Sequence, residues 1–479
     1  MKKLSLIALC LSAVSVFAAD KKEVPMSEKL KALWSDPVLQ EKMQIGIEHN
    51  RKGDFYLEFK DWKNRPVKVE NLKIEMVSHD FLFGAQIFRL GGFDTPEKNA
   101  LYEKYFTNVF NFATVPFYWG RFEEEEGVYA FGKNDKRNNR MPSQDAVVEF
   151  CKAHGLTMKG HPLSWYISNF WWFGNIVPGW VPLDGREIEK YNDRYIDIVA
   201  ERYSRDICLW DVSNEASDTR TSSEHMGYEN TCTFDHAFKA FKEAERVLPH
   251  SNGLIVNFAT PVWFRITKYG EYGQDYQLVS SLISRGAKVD VVGIQLHFFK
   301  REDREALYGA KQWTPENQYA VLDTLAKLNR PIHITELSFP CMQEGEIGEE
   351  KQAFLLENFY TLWFSHPAVE AITYWHFIDG TAGAENVYNS GFFRKDFSKK
   401  KAYDVLDNLV NKKWRTNLSF PEAASERHFR AFYGKYKVSF ECNGKRVEKF
   451  TILSNGKRVT DTLSLTKRAR NRFIIIVEK

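Results

Sequence analysis

The chain has 479 residues and a mass of 55.8 kDa, room for about two to four ordinary domains or one large barrel with small additions. Hydrophobic residues at 43% and charged residues at 27% exclude a mainly disordered, collagenous or coiled-coil chain. A net charge of +3 on this length gives no reason to expect nucleic acid as a partner.

The N-terminus opens with Lys2 and Lys3, then an apolar run from Leu4 to Phe17, with Val16 and Ala18 placed for cleavage after Ala18. This reads as a secretory signal peptide over residues 1–18, so a secreted or periplasmic location is expected. No later segment reaches about 18 apolar residues, so no membrane attachment is expected after its removal. The mature chain is expected to be a monomer. Cys10 follows Leu9, a poor context for a lipid anchor, so export is favoured over anchoring. Cleavage would leave Cys151, Cys208, Cys232, Cys341 and Cys442, an odd number with no C-x-x-C pair, which reads as structural thiols.

Residues 19–79 read as a helix and a small β element. The helix is predicted from Ser27 to about Arg51, with Leu30, Leu33 and Trp34 on one face. Phe55–Phe59 and Val67–Val77 alternate as strands around a turn at Asn64-Arg65-Pro66. From residue 80 to 420, short apolar runs alternate with longer helical stretches. The runs begin near Phe81, Val109, Leu156, Ile207, Leu254, Val291, Ile332 and Ala371. Strand–helix alternation implies a parallel sheet, and eight units imply a closed (β/α)8 TIM barrel of the α/β class. A helix over Ala402–Val410 completes the last unit. Residues 421–479 change texture: Tyr436–Cys442, Lys449–Leu453 and Phe473–Val477 read as strands broken by Asn-Gly turns, a small all-β appendage. The basic cluster Lys467, Arg468, Arg470 and Arg472 reads as a solvated turn or as edge protection.

Two carboxylates stand out by position. Glu215 follows the run from Ile207 to Asn214, and Glu336 ends the run Pro331-Ile332-His333-Ile334-Thr335. Both sit where strands four and seven of a barrel would end, on the face that carries active sites in this fold. Two glutamates facing each other there supply the proton donor and the nucleophile or base of glycoside hydrolysis. The aromatic content, 13 Trp, 21 Tyr and 37 Phe, exceeds what packing usually requires in Trp, which points the same way because sugar rings stack on indoles. Glu123–Glu126 reads as a solvated acidic face. No metal-ligand spacing, G-x-G-x-x-G or P-loop is present, so no cofactor and no metal are expected.

Six motifs in order over about residues 80–415 resemble glycoside hydrolase family 10, the retaining endo-β-1,4-xylanases. Trp210-Asp211-Val212-Ser213-Asn214-Glu215-Ala216 resembles its acid/base motif, and Ile334-Thr335-Glu336-Leu337 its nucleophile motif. Gly160-His161-Pro162-Leu163-Ser164-Trp165, Gly293-Ile294-Gln295-Leu296-His297, Tyr374-Trp375 with Asp379-Gly380, and Trp119 with Glu123, Glu126 and Gly127 resemble the other four. The resemblance implies Glu215 as acid/base, with a pKa raised by burial and by its partner, and Glu336 as ionised nucleophile held by His297. It implies sugar contacts from Asn214, His161 and Gln295, apolar walls from Trp165 and Trp375, and an Asn257 that supports the acid/base. It implies a polysaccharide or oligosaccharide as the partner.

The sequence departs from the family where sugars are read. Thr114, Val115 and Tyr118 stand in place of a Glu, an Asn and a Lys, so Tyr118 and Trp119 become candidate aromatic contacts. Ser338 replaces an Asp, Tyr166 replaces a His, and Phe170, Trp171, Trp172, Phe173 and Trp180 enrich the following segment. Two substrate readings stay open, altered xylan recognition or another β-linked glycan, decorated or uronic-acid-bearing. A rival class is a non-catalytic carbohydrate-binding protein on a degenerate barrel.

Overall fold

The computed structural model describes residues 25–132, 141–166, 176–182, 184–217, 235–298, 301–341, 345–381, 389–454, 456–459, 462–467 and 469–477. The stretch 1–18 read as a signal peptide, Cys232, Phe170 to Phe173 and Arg468 lie outside these residues.

The predicted N-terminal helix is two helices, Glu28–Trp34 and Pro37–Arg51. Asp36 breaks the run because its carboxylate accepts from the amides of Val38 and Leu39, and Pro37 starts the next helix. Two strands follow, β1 (Lys52–Lys60) and β2 (Glu70–His79). In both, buried and exposed side chains alternate, as one covered face requires.

The barrel is closed by eight parallel strands: β3 (Leu82–Gln86), β4 (Phe112–Pro116), β5 (Thr157–His161), β6 (Leu209–Asn214), β7 (Gly253–Phe258), β8 (Val291–Leu296), β9 (Ile332–Leu337) and β10 (Val369–Tyr374). β10 pairs with β3 to complete the ring. Every residue of β4, β8 and β9 is buried, because helices cover the outside and side chains fill the inside. The second strand starts later than its apolar run suggests. Val109 is buried as the last residue of the helix Pro96–Val109, so the apolar signal there is a helix face, not a strand. The last helix covers Lys401–Asn408 and widens into a π turn over Leu409–Lys413.

After the barrel come β11 (Asn417–Phe420), β12 (Glu426–Phe432), β13 (Gly434–Cys442), β14 (Lys445–Arg446), β15 (Phe450–Ser454), β16 (Lys457–Val459), β17 (Thr462–Leu465) and β18 (Arg472–Val477). They do not form an appendage of their own. β1 sits between β12 and β18 in one sheet, and β2 sits between β11 and β13 in the other. The N-terminal β element and the C-terminal strands are therefore one β-sandwich built from both ends of the chain. Phe55 stacks on Phe429 at 4.7 Å, and Phe59 meets Phe440 across the sheets at 5.1 Å. The strands supply the apolar periodicity, and burying each such ring contributes about 1.5–3 kcal/mol.

The sandwich is tied to the barrel from below. The buried Arg51 donates to the carbonyls of Phe364, His366 and Val369, which end one barrel helix and begin β10. Burial pulls its pKa down to about 10. Trp414 stacks on Phe364 at 4.2 Å and on Phe83 of β3 at 5.6 Å. Among the described residues no helix is long and apolar enough to cross a membrane.

Candidate active site

The C-terminal ends of the barrel strands bring most of the predicted residues together. His161 ends β5, Asn214 ends β6 with Glu215 next, Gln295 is the penultimate residue of β8, and Glu336 that of β9. A register shift between Ile294 and Gln295 sets Gln295 opposite Glu336. Such irregularities re-aim side chains at strand ends. Glu215 has φ of +57°, a left-handed conformation that costs a non-glycine residue on the order of 1 kcal/mol or more. Its amide donates to the Asn257 carbonyl at 2.7 Å, which fixes the turn.

The two carboxylates share one donor. Gln295 Nε2 donates to Glu215 Oε1 at 3.1 Å and to Glu336 Oε1 at 3.0 Å. Those two oxygens therefore lie no more than about 6 Å apart. Asn257 Nδ2 donates to Glu336 Oε1 at 2.9 Å and to Asn214 Oδ1 at 2.7 Å, while Thr335 Oγ1 donates to Asn257 Oδ1 at 2.5 Å. Asn257 thus holds Glu336 with its side chain and Glu215 with its backbone carbonyl, a double role where the sequence suggests only support of the acid/base.

The environments of the two acids differ. Glu336 is buried at 5% exposure, and Glu215 is half-buried. Burial alone would push the Glu336 carboxyl up. The positive charge of His161, the hydrogen bond and charge of His297 and the charge of Lys159 outweigh it, so the carboxyl sits below its ordinary value. His297 Nε2 donates to Glu336 Oε2 at 3.2 Å, and its Nδ1 lies 3.0 Å from Ser338 Oγ. His161 Nε2 lies 3.8 Å from Glu336 Oε1, and its Nδ1 donates to Asp211 at 2.7 Å. Asp211 also takes an ion pair from Lys159 at 2.6 Å, and both side chains are fully buried. Burial opposes the charge on Asp211, but Lys159 and His161 together hold its carboxyl below the ordinary range.

Aromatic rings wall this cluster. Trp375 packs edge-on against His161 at 5.4 Å and His297 at 6.2 Å. Tyr118 meets His161 at 5.6 Å and Trp165 at 6.0 Å. Phe88 joins Tyr118 and Trp375 at 5.8 and 5.4 Å. Trp119 stands apart: its indole N–H donates to Glu123 Oε2 at 2.6 Å and its ring stacks on Tyr195 at 5.8 Å. Glu123 is not part of a solvated face as its acidic neighbours suggest. It is fully buried because Arg194, Trp119 and the Gly127 amide all converge on its carboxylate. Tyr166 is buried with its hydroxyl on Asn192 at 3.1 Å.

Sequence reasoning missed Lys159, whose signal was a lone charge in the apolar strand Thr157–His161. It missed the part of Asp211 beneath His161 and the propping role of Phe88. Phe88 carries no signal in the sequence, because an apolar residue beside Ile87 just past a strand reads as core. Chemically, the site offers one buried acid held ionised, a second, half-buried acid close by, and apolar walls beside both. Among the described residues no three His, Cys, Asp or Glu side chains are grouped to hold a metal ion.

Comparison with known proteins agrees with this geometry. The family model described as Glycosyl hydrolase family 10 matches residues 78–409. The anti-sigma-I factor RsgI6 of Acetivibrio thermocellus is 26% identical over 426 residues, 88% of this chain and 49% of its own length. Endo-1,4-beta-xylanase B of Thermotoga neapolitana is 24% identical over 62% of this chain and 78% of the xylanase. The chain thus spans about half the length of the first of these relatives. Native xylanase 10B from Thermotoga maritima superposes with a TM-score of 0.53 at 22% identity, over 70% of this chain and 96% of the xylanase. Xylanase 10B from Thermotoga petrophila, solved with xylobiose, superposes with a TM-score of 0.53 at 21% identity, over 70% of this chain and 95% of its own. Those two likenesses establish the fold, and the family match over most of the chain establishes the lineage: the chain belongs to glycosyl hydrolase family 10.

Proposed function

We propose that the protein cleaves xylan or a related β-linked glycan with retention of configuration, with Glu215 as acid/base and Glu336 as nucleophile. The observation that carries this reading is the single amide nitrogen of Gln295 shared by both carboxylates at 3.1 and 3.0 Å. That closeness fits the shorter carboxyl separation of retaining enzymes, about 5–5.5 Å, better than the wider gap an inverting enzyme leaves for water. Glu336 Oε2 attacks the anomeric carbon while Glu215 passes a proton to the leaving oxygen, and a glycosyl–enzyme ester forms. Glu215 then takes a proton from water as that water attacks the same carbon, and Glu336 leaves.

His297 and His161 keep the nucleophile charged and aimed, and Gln295 holds both acids in register. Asn214, His161, Tyr118, Trp165 and Trp375 contact the sugar, whereas Trp119 packs on Trp180 and Tyr195 away from that wall. The xylobiose complex of the petrophila enzyme supports a short β-1,4-xylosyl ligand as the first to try. Export belongs to the same proposal, on Lys2, Lys3 and the run Leu4 to Phe17, and N-terminal sequencing of the mature protein tests it.

The test is a polysaccharide panel read by product mass, with two variants. Glu336→Ala should lose nearly all activity. Glu215→Ala should keep turnover on aryl glycosides with good leaving groups, and azide should restore its rate and give a glycosyl azide of β configuration. Full activity in both variants rejects the assignment. The second reading, binding without cleavage, draws on the replacements at Thr114, Val115 and Tyr118 and on a regulator's name for one relative. Glycan binding without release of reducing ends would favour it.

A further inference from the structure

The segment that carries Glu215 is pinned at both ends. At its start, the Asn214 amide donates to the Ser164 carbonyl at 2.9 Å and the Glu215 amide donates to the Asn257 carbonyl at 2.7 Å. At its end, Ser217 Oγ donates to Asp275 Oδ1 at 2.6 Å and accepts from Arg265 Nη2 at 3.2 Å. The Ser217 carbonyl accepts from Gln274 Nε2 at 3.1 Å. Arg265 and Asp275 are themselves locked: Arg265 Nε donates to Asp275 Oδ2 at 2.6 Å and Nη2 donates to Oδ1 at 2.7 Å. Asp275 is completely buried, and the Arg265 side chain is 17% exposed.

These partners stand on two helices outside the barrel, Pro261–Tyr269 and Gln274–Ser284. The clamp therefore ties the residue two past Glu215 to the shell of helices, and the strand ties the residue itself. Between the two anchors the backbone holds a left-handed φ at a residue with a full side chain. Strained backbone persists only where the surroundings over-determine it, and here the surroundings are the β7 carbonyl on one side and Ser217 on the other. A bidentate Arg–carboxylate pair is the rigid kind of anchor such a clamp requires.

We infer that Ser217, gripped by the Arg265–Asp275 pair, is a positioning residue that sets the direction in which Glu215 delivers its proton. The inference rests on the reading of Glu215 as the acid/base. Proton delivery is needed most when the leaving group is poor, so a misdirected Glu215 should slow substrates in proportion to leaving-group basicity. A structural role alone would slow all substrates alike.

The experiment compares Ser217→Ala, Ser217→Thr and Glu215→Ala with the parent on xylan, on 4-nitrophenyl β-xylobioside and on 2,4-dinitrophenyl β-xylobioside. Ser217→Ala should lose about 10- to 100-fold in kcat/KM on xylan, the scale of a misplacement near 1 Å. Its kcat/KM should change by no more than about threefold on the dinitrophenyl substrate, whose glycosylation step needs little proton donation. Ser217→Thr, which keeps the hydroxyl, should recover most of the xylan rate. Arg265→Lys, which keeps the charge and loses the fork, should follow Ser217→Ala, and it replaces that variant if Ser217→Ala proves insoluble. An equal loss on all three substrates, or no loss on any, overturns the clamp. If Glu215→Ala is leaving-group selective while Ser217→Ala is not, only this inference fails. If Glu215→Ala is fully active on xylan, the reading beneath it fails instead.

Discussion

At the scale of single residues, the charge state of Glu336, the proposed nucleophile, is a contest that named neighbours decide. Burial favours the neutral Glu336, while His161, His297 and Lys159 favour the ionised form and prevail. The acid limb of kcat/KM should therefore lie below the ordinary glutamate value of 4.5. His297→Asn removes a donor and a charge, so the limb should move to higher pH in a pH–rate profile on xylan. A limb that stays in place or moves down would show that His297 does not hold the carboxylate. The same depression has a stability consequence: it stabilises the fold above the unfolded pKa, and that contribution disappears as pH falls through the lower folded value. Gly293 offers a second check. A Cβ there would meet Asn257 Oδ1 at 2.8 Å and Thr335 Cγ2 at 2.8 Å. Gly293→Ala should displace Asn257 from Glu336 and lower kcat by roughly 10- to 100-fold, measured on xylan. The sequence singles out Glu215 and Glu336 because two glutamates follow apolar runs at the fourth and seventh strands, and the structure brings both to one donor, Gln295. Trp119 misled because its partner Glu123 is buried by Arg194, 71 residues further along, and no local pattern shows that Trp119 and Arg194 close on one carboxylate.

At the scale of elements, the barrel strands were legible because each is an apolar run bounded by polar turns. Their starts were less so: an apolar helix end at Val109 looks like a strand start when only composition is read. The ion pair Lys159–Asp211 joins β5 to β6 inside the barrel, with no exposure on either side chain. Removing one member of such a pair strands the other in a low-dielectric interior. Lys159→Met should cost about 3–5 kcal/mol of stability, read as a fall in denaturant midpoint. It should also raise the Glu336 carboxyl, since Lys159 is one of the charges holding it down. A variant as stable as the parent would mean that His161 alone satisfies Asp211.

At the scale of the whole molecule, the sandwich was half legible. Period-two alternation announces β1 and β2, and Asn-Gly turns announce the C-terminal strands. Pairing between the two groups is not written in either. Arg472 and Glu58 touch across 414 residues, and such a match depends on where the barrel returns the chain. Truncation after residue 420 would leave β1 without β12 and β18, and β2 without β13, exposing Phe55, Leu57, Phe59, Leu72, Ile74 and Met76. The truncated protein should be insoluble or melt well below the parent, by thermal scan and size-exclusion chromatography. A monodisperse product with the parent's melting point would mean that the barrel stands without its sandwich.

A sandwich sewn from both ends sets the order of events at the ribosome. β1 and β2 emerge before the whole barrel and wait for β12, β13 and β18 on its far side. At about 5–20 residues per second that wait is on the order of tens of seconds. Through it, two amphipathic ribbons with bare edges hang from a nascent barrel, open to any passing strand. Holdase chaperones should therefore stay on the chain until β18 slides in beside β1.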